Sequence, residues 1–190
     1  MDILKQRILA EGRNRGNGIL KVDSFINHQV DPALMHVCAK ELARRFRAQN
    51  VTRVLTAEIS GIAPAVLTAL ELGVPVVYAR KHKPITMPDS IFLTTAPSHT
   101  KGVEVNLMVS PEYLAEGERV LIIDDFLATG HTILGLVRLA RAAGSSVVGV
   151  GAVIEKTFEG GRQALKSLGV PIESLAVITD MSEGRIVFQD

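Results

Sequence analysis

Val120-Leu121-Ile122-Ile123-Asp124-Asp125-Phe126-Leu127-Ala128-Thr129-Gly130-His131-Thr132 makes three chemically different demands in succession. The apolar residues Val120 to Ile123 suit a strand buried on both faces of a parallel sheet, with two carboxylates where that strand emerges. Beyond them, Ile133, Leu136, Val137 and Ala140 have the spacing of a helix with one apolar face, so Ala128 to Thr132 leads into a helix N-terminus. Such a terminus offers an anion unpaired backbone N–H groups and the positive end of the helix dipole. Gly130 lets the backbone approach closely, and the hydroxyls of Thr129 and Thr132 add donors. Asp124 and Asp125 would repel the same anion, so their partners are sugar hydroxyls and a hard divalent cation such as Mg2+. The order of strand, acids, glycine and hydroxyls implies a sugar-phosphate site; any one of them alone would suit an ordinary strand, turn and capped helix.

Outward from this stretch, apolar strands alternate with amphipathic helices, the pattern of an α/β domain whose central, mainly parallel sheet is flanked by helices. Asp31-Pro32 opens a helix with an N-cap acceptor and a proline in the first turn, and Leu34, Val37, Cys38 and Leu42 supply its apolar stripe. Arg53 to Ala57 reads as the next strand and Glu58-Ile59-Ser60-Gly61 as a turn; a helix follows to Leu72, ended by Gly73, and Val74 to Ala79 is a further strand. After the central stretch come a strand from Val147 to Ile154, a helix from Gly161 to Leu168 stopped by Gly169, and a short strand from Leu175 to Ile178. Ile186-Val187-Phe188 reads as a final hairpin strand. Two regions break the alternation. Residues 81–110 are proline-rich and hydroxyl-rich with β-like runs at Ile91 to Thr95 and Val103 to Val109, which predicts a mobile β-arm. Ile19-Leu20-Lys21-Val22 stands outside the main pattern.

The chain has 190 residues, 47% hydrophobic and 22% charged, enough for one sizeable core and too few for two full domains. Residues 1–190 are therefore expected to form a single domain. A formal charge of +1 argues against the broad basic face that nucleic-acid binding needs. The single Cys38 has no internal disulfide partner and reads as a small packing residue, which suits a reducing compartment. Met1 to Ala10 mixes charges with its apolar residues, and no apolar run reaches the length that spans a bilayer, so a cytoplasmic location with no membrane partner is expected. The histidines are scattered without zinc-ligand spacing. No nucleophile elbow, Walker-type loop or dinucleotide-binding glycine turn appears at a strand-to-helix junction.

The stretch from Val120 to Thr132 resembles the phosphoribosyl pyrophosphate (PRPP) signature of the type I phosphoribosyltransferases, in which apolar residues, two acids and a Thr-Gly-x-Thr-like loop follow one another. Phe126 and Leu127 are bulkier than is usual in that signature, and His131 stands where a small residue is common. The resemblance implies the type I phosphoribosyltransferase fold, with a core at about residues 31–180 and a small hood made from about residues 1–30 and the C-terminal segment. It implies displacement of pyrophosphate from the anomeric carbon of PRPP by a ring nitrogen of a base. Asp124 and Asp125 would hold ribose hydroxyls and stabilise developing positive charge, neither needing an unusual pKa, and Ala128, Thr129, Gly130, His131 and Thr132 would clamp the 5′-phosphate. Mg2+ would arrive with PRPP, with no protein side chain assigned as its ligand.

Arg80-Lys81-His82-Lys83 resembles the basic pyrophosphate-binding segment of related enzymes, with Arg80 or Lys81 neutralising the departing group; a short charge run equally suits a solvated face. Ser60 and Gly61 would add backbone donors to pyrophosphate, or form only a tight turn and helix cap. Ile19 to Gln29, Ser60 to Ala65 and Val153 to Lys156 extend the similarity over nearly the whole chain, towards the bacterial xanthine-using branch of the family. By that resemblance Leu20 and Asn27 contact xanthine from the hood and Lys156 reaches it from the end of the late strand. Xanthine presents two oxo groups, for which an ammonium and an amide are suitable donors. Without the resemblance, Lys156 is a surface cation, Asn27 a turn residue and Leu20 core packing. Phe158 could stack on the base or simply pack. A hypoxanthine or guanine enzyme of the same class fits the same donors, and a PRPP-sensing transcriptional regulator retains the same fold; the absence of a helix-turn-helix module disfavours the regulator. The resemblance also implies a homodimer.

Overall fold

The computed structural model describes residues 1–97 and 104–189. Its centre is a six-stranded sheet built on the apolar runs of the chain. Strands β3 (Arg53–Ala57), β4 (Val76–Ala79), β7 (Arg119–Leu127), β8 (Ser146–Lys156) and β9 (Ile172–Asp180) run parallel, and β10 (Val187–Phe188) joins β9 antiparallel, in the order β10-β9-β8-β7-β3-β4. This is the mainly parallel sheet flanked by helices that the resemblance implied.

β7 is the central register strand, and its side chains alternate between two cores. Leu121 and Ile123 join a cluster with Phe25, Leu42 and Phe46, whereas Val120 and Ile122 join a second with Leu136 and Ala140. Burial on both faces explains why the run reads as continuous rather than alternating. Each large apolar side chain placed there stabilises the fold by roughly 1.5–3 kcal/mol relative to exposure.

The first core is covered by α1 (Asp2–Glu11), α2 (Pro32–Phe46) and α3 (Ile62–Leu72); the second by α4 (His131–Ala142) and the short α5 (Gly161–Leu165). α2 starts where its sequence requires: Asp31 accepts a hydrogen bond from Leu34 N at 3.1 Å, and Pro32 fills the first turn. Its buried face is Leu34, Met35, Cys38, Ala39, Leu42, Ala43 and Phe46, so the stripe expected through Val37 is corrected: Val37 is 42% exposed. Cys38 is a buried free cysteine, and burial pushes its thiol pKa up to about 12, so it serves packing rather than nucleophilic chemistry. α3 spans the expected range, and Gly73 closes it in the left-handed conformation.

Two small antiparallel sheets stand off the main one. β1 (Arg13–Asn14) pairs with β2 (Leu20–Lys21), and the following helical turn Asp23–Asn27 completes this N-terminal subdomain. Asn14 Nδ2 donates to Met181 O at 2.6 Å and to Arg185 O at 2.9 Å, while the Met1 ammonium donates to Leu175 O at 3.0 Å, which joins the N-terminal segment to the C-terminal one.

β5 (Phe92–Pro97) and β6 (Glu104–Val109) form the arm; its expected second run began at Val103, which lies outside the described residues. The described part of the arm is docked on α4. Ala96, Leu107 and Val109 enter the second core, and the Arg138 guanidinium donates to Thr94 Oγ1 at 2.8 Å and Thr95 O at 2.6 Å. β6 also meets the first residue beyond β4: Arg80 N donates to Met108 O at 2.8 Å and Met108 N to Arg80 O at 3.0 Å. No helix among the described residues is long and apolar enough to cross a membrane.

Candidate active site

The carboxyl ends of β3, β4, β7 and β8 face the N-terminal subdomain across a cleft of about 660 Å³. Asp124 and Asp125 sit inside β7 rather than at its exit, since the strand continues to Leu127, and both are only 8% exposed. Their positions are tolerated because each has donors. Asp125 N donates to Asp124 Oδ1 at 3.0 Å, and Asn27 Nδ2 donates to Asp125 Oδ2 at 2.6 Å. Burial, with the Asp125 charge beside it, raises the Asp124 pKa well above the usual carboxylate range, and the nearby Lys81 ammonium opposes that shift. The expectation that neither acid has an unusual pKa is therefore corrected for Asp124.

Gly61 explains how the backbone comes so near this pair. A Cβ at that position would lie 2.5 Å from Thr56 Oγ1 and 2.7 Å from Asp124 Oδ1. Only a residue without one lets the turn after β3 approach the acids.

Ala128, Thr129, Gly130, His131 and Thr132 all line the cleft. Gly130 is the N-cap of α4 with φ 81°, a left-handed conformation, and no side chain among the described residues caps the helix. The backbone N–H groups of the first turn thus face the cleft end of the helix. Thr129 Oγ1 lies 3.2 Å from His131 Nδ1, so the histidine braces the hydroxyl of the same loop. Gly161 N donates to Ala128 O at 2.9 Å, tying the loop to the start of α5.

On the opposite side, Ser60, Gly61 and Lys81 line the cleft, but Arg80 does not. The Arg80 guanidinium is ion-paired with Glu58 and lies over the Tyr78 ring at 5.7 Å. Glu58 also accepts from Lys81 N at 3.0 Å, so one carboxylate holds the backbone of the cation that faces the cleft. Lys83 is turned outward to Asp89 at 3.0 Å.

Leu20, Asn27 and Lys156 converge on the same cleft from the N-terminal subdomain and the end of β8. Lys156 is no surface cation: it is 5% exposed, its Nζ donates to Gly18 O at 3.0 Å, and it is ion-paired with Glu159. Phe158 is 45% exposed, lies near Gly18 and is not among the residues lining the cleft. Arg15, Lys21 and Asp23 also line the cleft, and nothing local in the sequence marks them; they arrive there because β1 pairs with β2. Glu159 was detectable, since a Lys-x-x-Glu spacing just past a strand puts both charges on one side of a tight turn.

The Asp124-Asp125 oxygens are the donor type that a hard cation takes, and among the described residues no cluster of three or more acidic, His or Cys ligands forms a protein cage.

Comparison with known proteins agrees with this geometry. A model of the phosphoribosyl transferase domain matches residues 29–180. A xanthine phosphoribosyltransferase from Stutzerimonas stutzeri is 47% identical over 190 residues, covering 100% of both chains. One from Bacillus thuringiensis is 47% identical over 188 residues, covering 99% of this chain and 95% of that one. Among solved structures, adenine phosphoribosyltransferase from Thermoanaerobacter pseudethanolicus superposes with a TM-score of 0.73 at 26% identity, over 92% of this chain and 98% of the other. With the domain matched over most of its length and relatives aligned from end to end, the chain belongs to the phosphoribosyltransferase family.

Proposed function

We propose that this enzyme transfers the 5-phosphoribosyl group from PRPP to N9 of xanthine, giving xanthosine 5′-monophosphate and pyrophosphate in purine salvage. The observation that carries the reading is the convergence of Leu20, Asn27 and Lys156 on the cleft that also holds Asp124, Asp125 and the 128–132 loop. The names of the full-length relatives at 47% identity support the base assignment.

In this reading the 5′-phosphate rests on the N-terminus of α4, with the Thr129 and Thr132 hydroxyls as additional donors. Asp124 and Asp125 accept from ribose hydroxyls and stabilise the positive charge that grows on the ring as the C1–oxygen bond to pyrophosphate lengthens. Ser60, Gly61 and Lys81 receive the pyrophosphate; Arg80 acts behind them by holding Glu58. Mg2+ arriving with PRPP would supply charge neutralisation, and Asp124 and Asp125 are the protein groups suited to face it. N9 forms its bond to C1 as the pyrophosphate oxygen leaves, and the proton lost by the imidazole ring goes to solvent.

Lys156 and Asn27 donate to the oxo groups of the base while Leu20 packs on its plane. A homodimer in the cytoplasm completes the proposal; exposed Ile59, Val66 and Leu70, along one side of α3 and the turn before it, provide apolar surface for a second copy.

The test is nucleotide and pyrophosphate formation from Mg-PRPP with xanthine, hypoxanthine, guanine, adenine and orotate supplied separately. The highest kcat/KM is expected with xanthine. Preference for another base would leave the family reaction standing and reject the base assignment, and PRPP binding with no turnover on any base would replace catalysis with ligand sensing.

A further inference from the structure

A primary ammonium has three N–H donors and no acceptor. On Lys156, one donor is used by Gly18 O at 3.0 Å and a second by the Glu159 carboxylate, while Nζ lies 5.7 Å from the centre of the Phe126 ring. The Lys156 and Glu159 side chains are 6% and 13% exposed. Burying an ammonium is costly unless a counter-charge and hydrogen-bond acceptors meet it. Glu159 is held in place by its backbone: it ends a 3-10 turn over Thr157–Glu159, closed by Gly160 at φ 79°, and Thr157 Oγ1 donates to Ile178 O at 3.3 Å.

We infer that Glu159 is a specificity-determining positioning residue: its carboxylate is the counter-charge of the buried Lys156 ammonium and fixes the Lys156 stem so that the third N–H is presented to an exocyclic oxo group of the base. The inference rests on the oxopurine reading of the cleft and adds to it the residue through which Lys156 acts. With two of its three donors engaged, the ammonium has one left for the cleft that Lys156 lines. A base with an amino group at that place would set donor against donor, so the same pair selects for oxo and against amino substituents. The Gly18 contact adds a second consequence. Gly18 has φ 73° and belongs to the loop before β2, so the Lys156 ammonium also fixes the loop that brings Leu20 to the cleft.

Glu159→Gln is nearly isosteric and removes only the charge. At saturating Mg-PRPP, KM for xanthine is expected to rise about tenfold, the scale of one charge-assisted hydrogen bond, with KM for PRPP unchanged within about twofold and kcat changed less than KM. In a Lys156→Met background, Glu159→Gln should have no further effect on the base KM, because its action runs through Lys156. Equal shifts in both KM values, no shift at all, or an additional loss in the Lys156→Met background would overturn the role. Should Glu159→Gln fail to fold, as judged by circular dichroism, Glu159→Asp is measured in the same way and is expected to retain most oxo-base affinity. Wild-type turnover on the base panel separates the two ideas: preference for adenine removes the oxopurine reading, whereas xanthine preference with a neutral Glu159→Gln removes only the positioning role.

Discussion

The two sides of the cleft are built on different principles. The side read as holding the ribose and 5′-phosphate is one uninterrupted segment: β7, the 128–132 loop and α4 follow one another, and its acids and amides are placed by neighbours in the chain. The base side is assembled from distant pieces. Asn27 reaches Asp125 across 98 positions, Lys156 reaches Gly18 across 138, and Asn14 reaches Met181 across 167. Under the proposed roles, the ribose-phosphate side is held locally by sheet and helix, and the base side is hung on it by a few long-range hydrogen bonds. Such contacts are individually worth about 0.5–1.5 kcal/mol, so the base side is the softer of the two.

The sharpest way to break this contrast is Asp125→Asn. Volume hardly changes, the Asn27 contact loses its charged acceptor, and turnover with xanthine is expected to fall by about 100-fold or more, as loss of a transition-state electrostatic group does. Melting should stay within a few degrees of wild type; near-normal turnover would show that the acid is only structural. Next comes Gly61→Ala, whose new Cβ would meet Thr56 Oγ1 and Asp124 Oδ1. Overpacking of this kind costs about 1–3 kcal/mol, and KM for PRPP should rise together with the loss of stability. A variant that melts and binds PRPP like wild type would mean that the turn can retreat from the acids.

Asn14→Ala tests the other side. Removing the amide that ties β1 to Met181 O and Arg185 O should raise KM for the base a few-fold, about 1 kcal/mol, and leave KM for PRPP alone. If PRPP binding weakened equally, the two sides would be one mechanical unit. The smallest effect is a pH dependence. The Asp124 pKa is raised in the folded chain, so the protonated form is favoured by folding; its contribution is full below the unfolded value of about 3.9 and is lost as pH rises through the raised folded value. Asp124→Asn has no proton to lose, and its melting temperature should fall less steeply than that of wild type over that window, by a few degrees in a thermal scan. Parallel curves would refute the raised Asp124 pKa.

The same contrast explains what could be read in the chain. β3 and α3 have the limits their residues predict, because Gly73 ends the helix and the strand's apolar run is flanked by turn residues. The apolar run of β7 stops at Ile123, yet the strand continues because Asp124 and Asp125 find hydrogen bonds inside it. α1 buries only Leu4 and Ile8, one side chain per turn, too little to mark a helical face in the sequence. Val37 lies off the buried side of α2, where Met35 and Ala39 complete the stripe. The place of Arg15 in the cleft depends on tertiary placement, and no periodicity could have shown that Arg80 turns away from the cleft onto Glu58.

β4 ends the central sheet, and its outer edge would offer unpaired peptide groups beside the exposed Tyr78. The two hydrogen bonds between Arg80 and Met108 place β6 across the end of that edge. Open edges are templates for pairing with other chains, so the arm also guards colloidal stability: a chain trimmed of β5 and β6 would aggregate at concentrations where the intact chain stays dispersed.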